Sequence, residues 1–238
     1  MPIITYGLVG ITVFVYLYQW LLGLGSEREE LLFILRHGLV PTAFLNGFPS
    51  YDCVMHGVGG AERSALATVI SVKNSSLGVI LMPVSYAFLH GGWLHLISNL
   101  WFFWIFADNV EERLGSVLFL PFYLVTAAAG GGLHLLVDAG SSMPLVGASG
   151  AVSGVMGAYA VLFPGNRITS YFCPVWFFIR RIDVPAWIVL GFYILVQSFA
   201  LWNADVLASR TAFDCHIGGF FAGAMIALPF KPRKSPLA

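Results

Sequence analysis

The chain has 238 residues, of which 58% are hydrophobic and only 10% charged, with zero formal net charge and a mean hydropathy of +0.82. Soluble domains carry roughly 25% charged residues, so the composition excludes a soluble globular protein and describes an integral membrane protein. The neutral balance offers no basic surface for nucleic acid.

Residues 3–24 are almost wholly apolar. At about 1.5 Å of rise per residue they are long enough to cross a bilayer. No basic segment precedes them and the run exceeds the core of a signal peptide, so they read as the first span. Residues 25–89 form a long first loop holding Glu27, Arg28, Glu29, Glu30 and Arg36. There Leu31, Leu32, Leu35 and Leu39 recur at helical spacing, while pieces 57–64 and 71–78 read as turns. The loop is expected to lie on or partly in the bilayer.

Five further apolar segments follow, at roughly 90–107, 114–137, 147–163, 185–202 and 211–230, each bounded by charged residues. They predict six spans in all, an all-α membrane protein and a single domain over 1–238. The three cysteines, Cys53, Cys173 and Cys215, have no metal-ligand spacing and read most simply as free thiols, with pairing left open. Basic residues in the short loops set the orientation. Arg113, Arg167, Arg180, Arg181 and the tail residues Lys231, Arg233 and Lys234 outweigh Arg210 on the other side, which places both termini in the cytoplasm. By that count His95 and Asn99, Ser149, and His216 all fall at one depth, in the outer half of the membrane.

Ser149 stands between Gly147-Ala148 and Gly150 at the start of the fourth span. Polar groups at membrane depth are costly and tend to be functional. A serine hydroxyl needs a base within hydrogen-bond reach, most often histidine. His216 is the candidate, because Gly219 and Gly223 on its helix match Gly150 and Gly154 in spacing, and small-xxx-small faces let membrane helices meet backbone to backbone. The competing reading leaves these glycines to packing alone and His216 to capping a helix. His95 and Asn99 are one helical turn apart and can aim donors at one point, as an oxyanion requires. His90 is expected to hold its loop by hydrogen bonding, and His134 to make an internal hydrogen bond. Ser153 is expected to bond backbone one turn back. Asp214 lies two residues from His216, on a different helix face, and is expected to stay exposed in the loop, leaving a Ser-His dyad. No His-Glu-x-x-His motif is present, and no metal or cofactor is expected. No internal repeat supports a transporter.

Four motifs in order resemble the signatures of the rhomboid intramembrane serine proteases. They are His90-Gly91-Gly92-Trp93-Leu94-His95 through Asn99, Asp108-Asn109-Val110-Glu111-Glu112-Arg113-Leu114-Gly115, Gly147-Ala148-Ser149-Gly150 and His216-Ile217-Gly218-Gly219. The resemblance covers about residues 83–229 and implies a six-transmembrane-helix rhomboid bundle that cleaves transmembrane segments of other proteins. It carries Ser149 over as nucleophile, His216 as general base, and His95 and Asn99 as oxyanion stabilisers. Gly147 and Gly150 belong to the serine motif, Gly219 lets the sixth helix approach the fourth, and His90 is a supporting residue. Glu111 and Arg113 match a polar brace at the cytoplasmic end of the second span. Ser153 stands where some rhomboids carry a tyrosine, Cys215 where alanine is common, and the Trp-Arg pair of many first loops is not evident.

The expected partners are transmembrane protein substrates and the lipid bilayer. The fifth span from Trp187 to Trp202 and the 203–210 loop are the expected route for a substrate helix. A bacterial plasma membrane is the simplest setting for a chain that starts almost at its first helix with no transit peptide. The alternative function is a non-proteolytic binder or adaptor for membrane helices, which would not need a reactive Ser149.

Overall fold

In the first helix, α1 (Ile3–Gly25), Thr5, Leu8, Thr12, Tyr16 and Gln19 turn inward at three- and four-residue intervals, while Ile11, Phe14, Leu17 and Leu21 stay exposed. Polar groups inside and apolar groups outside reverse the pattern of a water-soluble helix and suit a hydrocarbon solvent. The computed structural model describes residues 1–47, 50–56, 67–172, 180–203 and 212–231.

The long first loop is largely structured. Ser26 caps α2 (Glu27–His37), whose first turn carries Glu27, Glu29 and Glu30 and whose last turn carries Arg36 and His37, as the helix dipole favours. Leu35 and Leu39 are buried and Leu31 and Leu32 pack beside them, as their spacing predicts. A short α3 (Pro41–Asn46) leads to β1 (Ser50–His56), which pairs antiparallel with β2 (Ala67–Lys73), Ser50 opposite Lys73. The turn expected over 71–78 is therefore mostly regular structure: 71–73 end β2 and 76–78 begin α4 (Ser76–Ser85). The β-branched residues Thr68, Val69, Ile70 and Val72 favour the strand. The 57–64 piece lies outside the described residues.

A 3-10 turn (Tyr86–Phe88) extends α4, and the pair meets α5 (Trp93–Leu114) at a bend of 80°. The second apolar run was expected to end at 107, but α5 continues to Leu114 because the charged segment has an inner side. Glu111 is buried and accepts from Ile4 N (3.0 Å), Thr5 N (2.7 Å), Thr5 Oγ1 (2.7 Å) and Ser116 Oγ (2.6 Å). Arg113 Nε donates to Phe230 O at 2.9 Å. This is the polar brace the resemblance implied. Gly115, at φ +83°, turns the chain into α6 (Ser116–Val137).

The remaining elements are α7 (Ser149–Leu162), β3 (Arg167–Phe172), β4 (Arg180–Pro185), α8 (Ala186–Trp202) and α9 (Phe213–Ala227), the last extended by a 3-10 turn (Leu228–Phe230). The protein is mostly helical but not purely so: two antiparallel hairpins, β1–β2 and β3–β4, sit between helices. α7 is the central element, buried along its length except at Ser149, Ala160 and Val161, and it packs against α5, α6, α8 and α9. Gly154 meets Thr126 of α6, and Gly157 meets the Phe220 backbone of α9.

α1, α6 and α9 with its 3-10 extension are each long and apolar enough to cross a membrane, and the bent α4–α5 pair makes a fourth candidate. α7, at 14 residues, and α8, at 17, fall short of that length. With exposed apolar side chains such as Leu94, Val117, Leu136 and Phe192 around it, the molecule is an integral membrane protein.

Candidate functional site

The turn before α7 is fixed from both sides. Leu145 and Leu39 exchange two backbone hydrogen bonds, at 3.0 and 2.8 Å, and Gly147 N donates to Tyr86 O at 3.0 Å. Gly147 has φ +121°, and a Cβ there would come within 2.7 Å of both Cε1 and Nε2 of His95. Glycine is required twice over, by the dihedral and by the neighbouring ring. Ala148 is the N-cap and offers no side-chain acceptor. Among the described residues, the first N–H groups of α7, including that of Ser149, therefore have no capping acceptor at the positive end of the helix dipole. Ser149 itself is half-buried.

α5 brings two donors to the same place. Gly91 N donates to His95 Nδ1 at 3.3 Å. Nδ1 is thus an acceptor, and the ring proton belongs on Nε2, the atom that faces Gly147. Asn99 Nδ2 gives one N–H to His95 O at 3.1 Å and would lie 3.7 Å from a Gly147 Cβ, with its second N–H to spare among the described residues. His95 and Asn99 therefore do converge, as their spacing predicts. His90 is hydrogen-bonded through its backbone: Gln19 Nε2 donates to His90 O at 2.7 Å and His90 N donates to Gln19 Oε1 at 3.3 Å. Neither ring nitrogen of the fully buried His90 makes a hydrogen bond among the described residues, and its ring stands edge-on to that of His95 at 5.1 Å.

α9 completes the arrangement. A Cβ on Gly219 would overlap the Gly150 carbonyl, and one on Gly223 the Gly154 carbonyl, so the two matched glycine pairs do set backbone on backbone. The Cys215 thiol packs over Gly150 and lies 3.3 Å from Tyr86 Oη, which donates to Ala127 O at 2.8 Å. Ser149 and His216 each adjoin this contact, one beside Gly150 and the other beside Cys215. Among the described residues no hydrogen bond joins Ser149 Oγ to the His216 ring. His216 Nδ1 instead faces Gln197 Oε1 of α8 at 2.8 Å.

Two expectations are corrected here. Asp214 is not exposed in a loop but buried in the first turn of α9, with Oδ2 2.9 Å from His134 Nδ1 and Oδ1 accepting from Cys215 N at 2.7 Å. A carboxylate at this depth has to be paired, and His134 supplies the partner, which is the internal bond expected of that histidine. Ser153 does not bond back along its own helix; its Oγ lies 2.6 Å from Tyr193 Oη on α8, a stronger offer than an already occupied helix carbonyl. Cys53 and Cys215 are free and buried. Cys173, residues 204–210 of the expected substrate route, and the orientation residues Arg210, Arg233 and Lys234 lie outside the described residues. Gln19, Tyr86, Tyr193 and Gln197 escaped the sequence reading. A lone glutamine inside an apolar run, as at 19 and 197, was the signal for two of them.

A family model described as Rhomboid domain matches residues 78–233. The chain is 30% identical over 149 residues to Rhomboid protein 1, mitochondrial, of Saccharomyces cerevisiae, a match covering 60% of this chain and 39% of that protein. It is 29% identical over 162 residues to Rhomboid protease GlpG of Yersinia enterocolitica, covering 65% of this chain and 49% of the relative. It is 30% identical over 177 residues to Rhomboid protease GluP of Bacillus subtilis, covering 72% and 31%. The matches thus span less than half the length of each of these relatives.

Proposed function

The chain belongs to the rhomboid family, and from that premise we propose that it is an intramembrane serine endopeptidase cutting transmembrane segments of other membrane proteins, with Ser149 as nucleophile and His216 as general base. The observation that carries this reading is the convergence at Gly147–Ser149 of the uncapped start of α7, the His95 and Asn99 donors of α5, and the α9 backbone beside His216. The names of the Yersinia and Bacillus relatives as proteases point the same way.

In the proposed cycle His216 Nε2 takes the proton of Ser149 Oγ as that oxygen attacks the carbonyl carbon of the scissile peptide. The oxyanion receives His95 Nε2–H, the spare Asn99 N–H and the Ser149 backbone N–H. His216 then returns its proton to the leaving amine, and water repeats the sequence on the acyl-serine. At 14 residues α7 rises about 21 Å, against a hydrocarbon core of about 30 Å. With its far end at one face, Ser149 sits about 10 Å inside the other. Water must reach that depth through a cavity lined by polar groups, because irregular backbone is not tolerated against lipid. The reading includes six spans, both termini in the cytoplasm and a bacterial plasma membrane. Reporter fusions at each terminus test the topology.

The competing function, a non-proteolytic binder of membrane helices, has one observation on its side: Ser149 and His216 are not hydrogen-bonded. Catalytic hydrogen bonds are often long before substrate binds, so this does not displace the protease. Purified wild type beside Ser149→Ala, assayed for cleavage of a tagged model helix and for fluorophosphonate labelling, decides between them. Activity and label that vanish together in the variant support the protease. A folded wild type that neither cuts nor labels supports the binder.

A further inference from the structure

We infer that Gln197 on α8 is the positioning residue of the catalytic base, its amide oxygen holding the His216 ring in the tautomer that can accept a proton from Ser149; this rests on the Ser149–His216 reading above. Gln197 Oε1 lies 2.8 Å from His216 Nδ1. An amide oxygen only accepts, so the imidazole proton is on Nδ1 and the lone pair on Nε2. A base for a serine hydroxyl needs that lone pair, and a hydrogen bond on the opposite ring nitrogen is what selects it.

Polar groups on α9 and α7 are committed elsewhere. Asp214 is bonded to His134 and to the Cys215 backbone. Ser153 is bonded to Tyr193. Gln197 is the partner of Nδ1 among the described residues. A neutral amide also does this work without placing an unpaired carboxylate at membrane depth, where charge is costly. Tyr193 and Gln197 stand one turn apart on α8, so the helix is tied to α7 at Ser153 and to α9 at His216 through one face. The titratable groups whose charge bears on the His216 ring are Asp214 on α9 and His95 on α5, and neither changes in the variants that test Gln197.

The test compares full-length wild type with Gln197→Met, which keeps the length and loses the acceptor, Gln197→Glu, which keeps an acceptor and adds charge, and Ser198→Ala on the exposed side of α8. Two readouts are taken across pH: the fluorophosphonate labelling rate, which needs no substrate helix, and kcat and KM on a model helix. Gln197→Met should slow labelling and kcat together by about 10–100-fold with KM unchanged, the range typical of removing a group that orients a functional histidine. Gln197→Glu should recover much of the rate but move the acid limb of kcat to higher pH, because the carboxylate stabilises the imidazolium. Ser198→Ala should do neither. Wild-type labelling and an unmoved pH profile in Gln197→Met overturn the assignment. Should that variant fail to fold, an unmoved acid limb in Gln197→Glu overturns it instead. Labelling that survives in Ser149→Ala would sink the dyad itself, a different result that the Gln197 variants cannot produce.

Discussion

At one end of α5 the Glu111 carboxylate accepts four hydrogen bonds, from two backbone amides of α1 and from the hydroxyls of Thr5 and Ser116. At the other end the polar groups are under-used: the His90 ring has no partner among the described residues, His95 turns Nε2 to a glycine, and Asn99 keeps an N–H in reserve. Both ends hold polar side chains in an apolar protein, where each unmet group costs free energy. The saturated end fastens α1 to α5 and α6. On the proposed reading, the unsaturated end keeps donors ready for charge that arises during a reaction, and preorganised donors of this kind need no rearrangement when it does.

Removing the proposed nucleophile should separate the two ends most sharply. Ser149→Ala is expected to lower cleavage to background, a loss of about 10⁵–10⁶-fold, while the thermal midpoint in detergent stays close to wild type. Next in size, Asn99→Ala should reduce kcat by about 10²–10³-fold, the usual effect of losing one oxyanion donor. A loss of stability without a fall in kcat per folded molecule would assign Asn99 to packing instead. Glu111→Ala is the mirror experiment. It strips the acceptor from several buried donors and should cost about 3 kcal/mol of stability, read by detergent or denaturant titration, with the labelling rate of the folded fraction unchanged. Slower labelling there would show that the two ends of α5 are coupled. The smallest effect is expected of Tyr193→Phe, which breaks only the bond to Ser153 and should cost about 1 kcal/mol. A shifted pH profile in that variant would move Tyr193 from docking α8 to tuning the base.

The positions of the long helices were legible as apolar runs. Residues 3–24, 114–137, 147–163 and 185–202 correspond closely to α1, α6, α7 and α8. α5 outran its apolar segment because hydropathy treats Glu111 as a surface charge, whereas α1 offers it two backbone amides and a hydroxyl. The first hairpin was not legible because helical spacing dominates the long first loop, although the β-branched Thr68, Val69, Ile70 and Val72 favour a strand. Within the site, the glycines around Ser149 and in α9 were informative because only a residue without a side chain permits the contacts found at Gly147 and Gly219.

The sequence by itself determined the membrane class, the family, the set of apolar helices and the chemical types that meet near Ser149, because solvent and backbone contact constrain residue type directly. Only the tertiary structure decided how the hydrogen bonds are distributed. His216 takes Gln197, 19 residues away; Ser153 takes Tyr193, 40 away; Asp214 takes His134, 80 away. Each of these side chains could have bonded several others, and a polar side chain does not encode its partner. The choice falls to whichever group the packing of α6, α8 and α9 around α7 brings within reach.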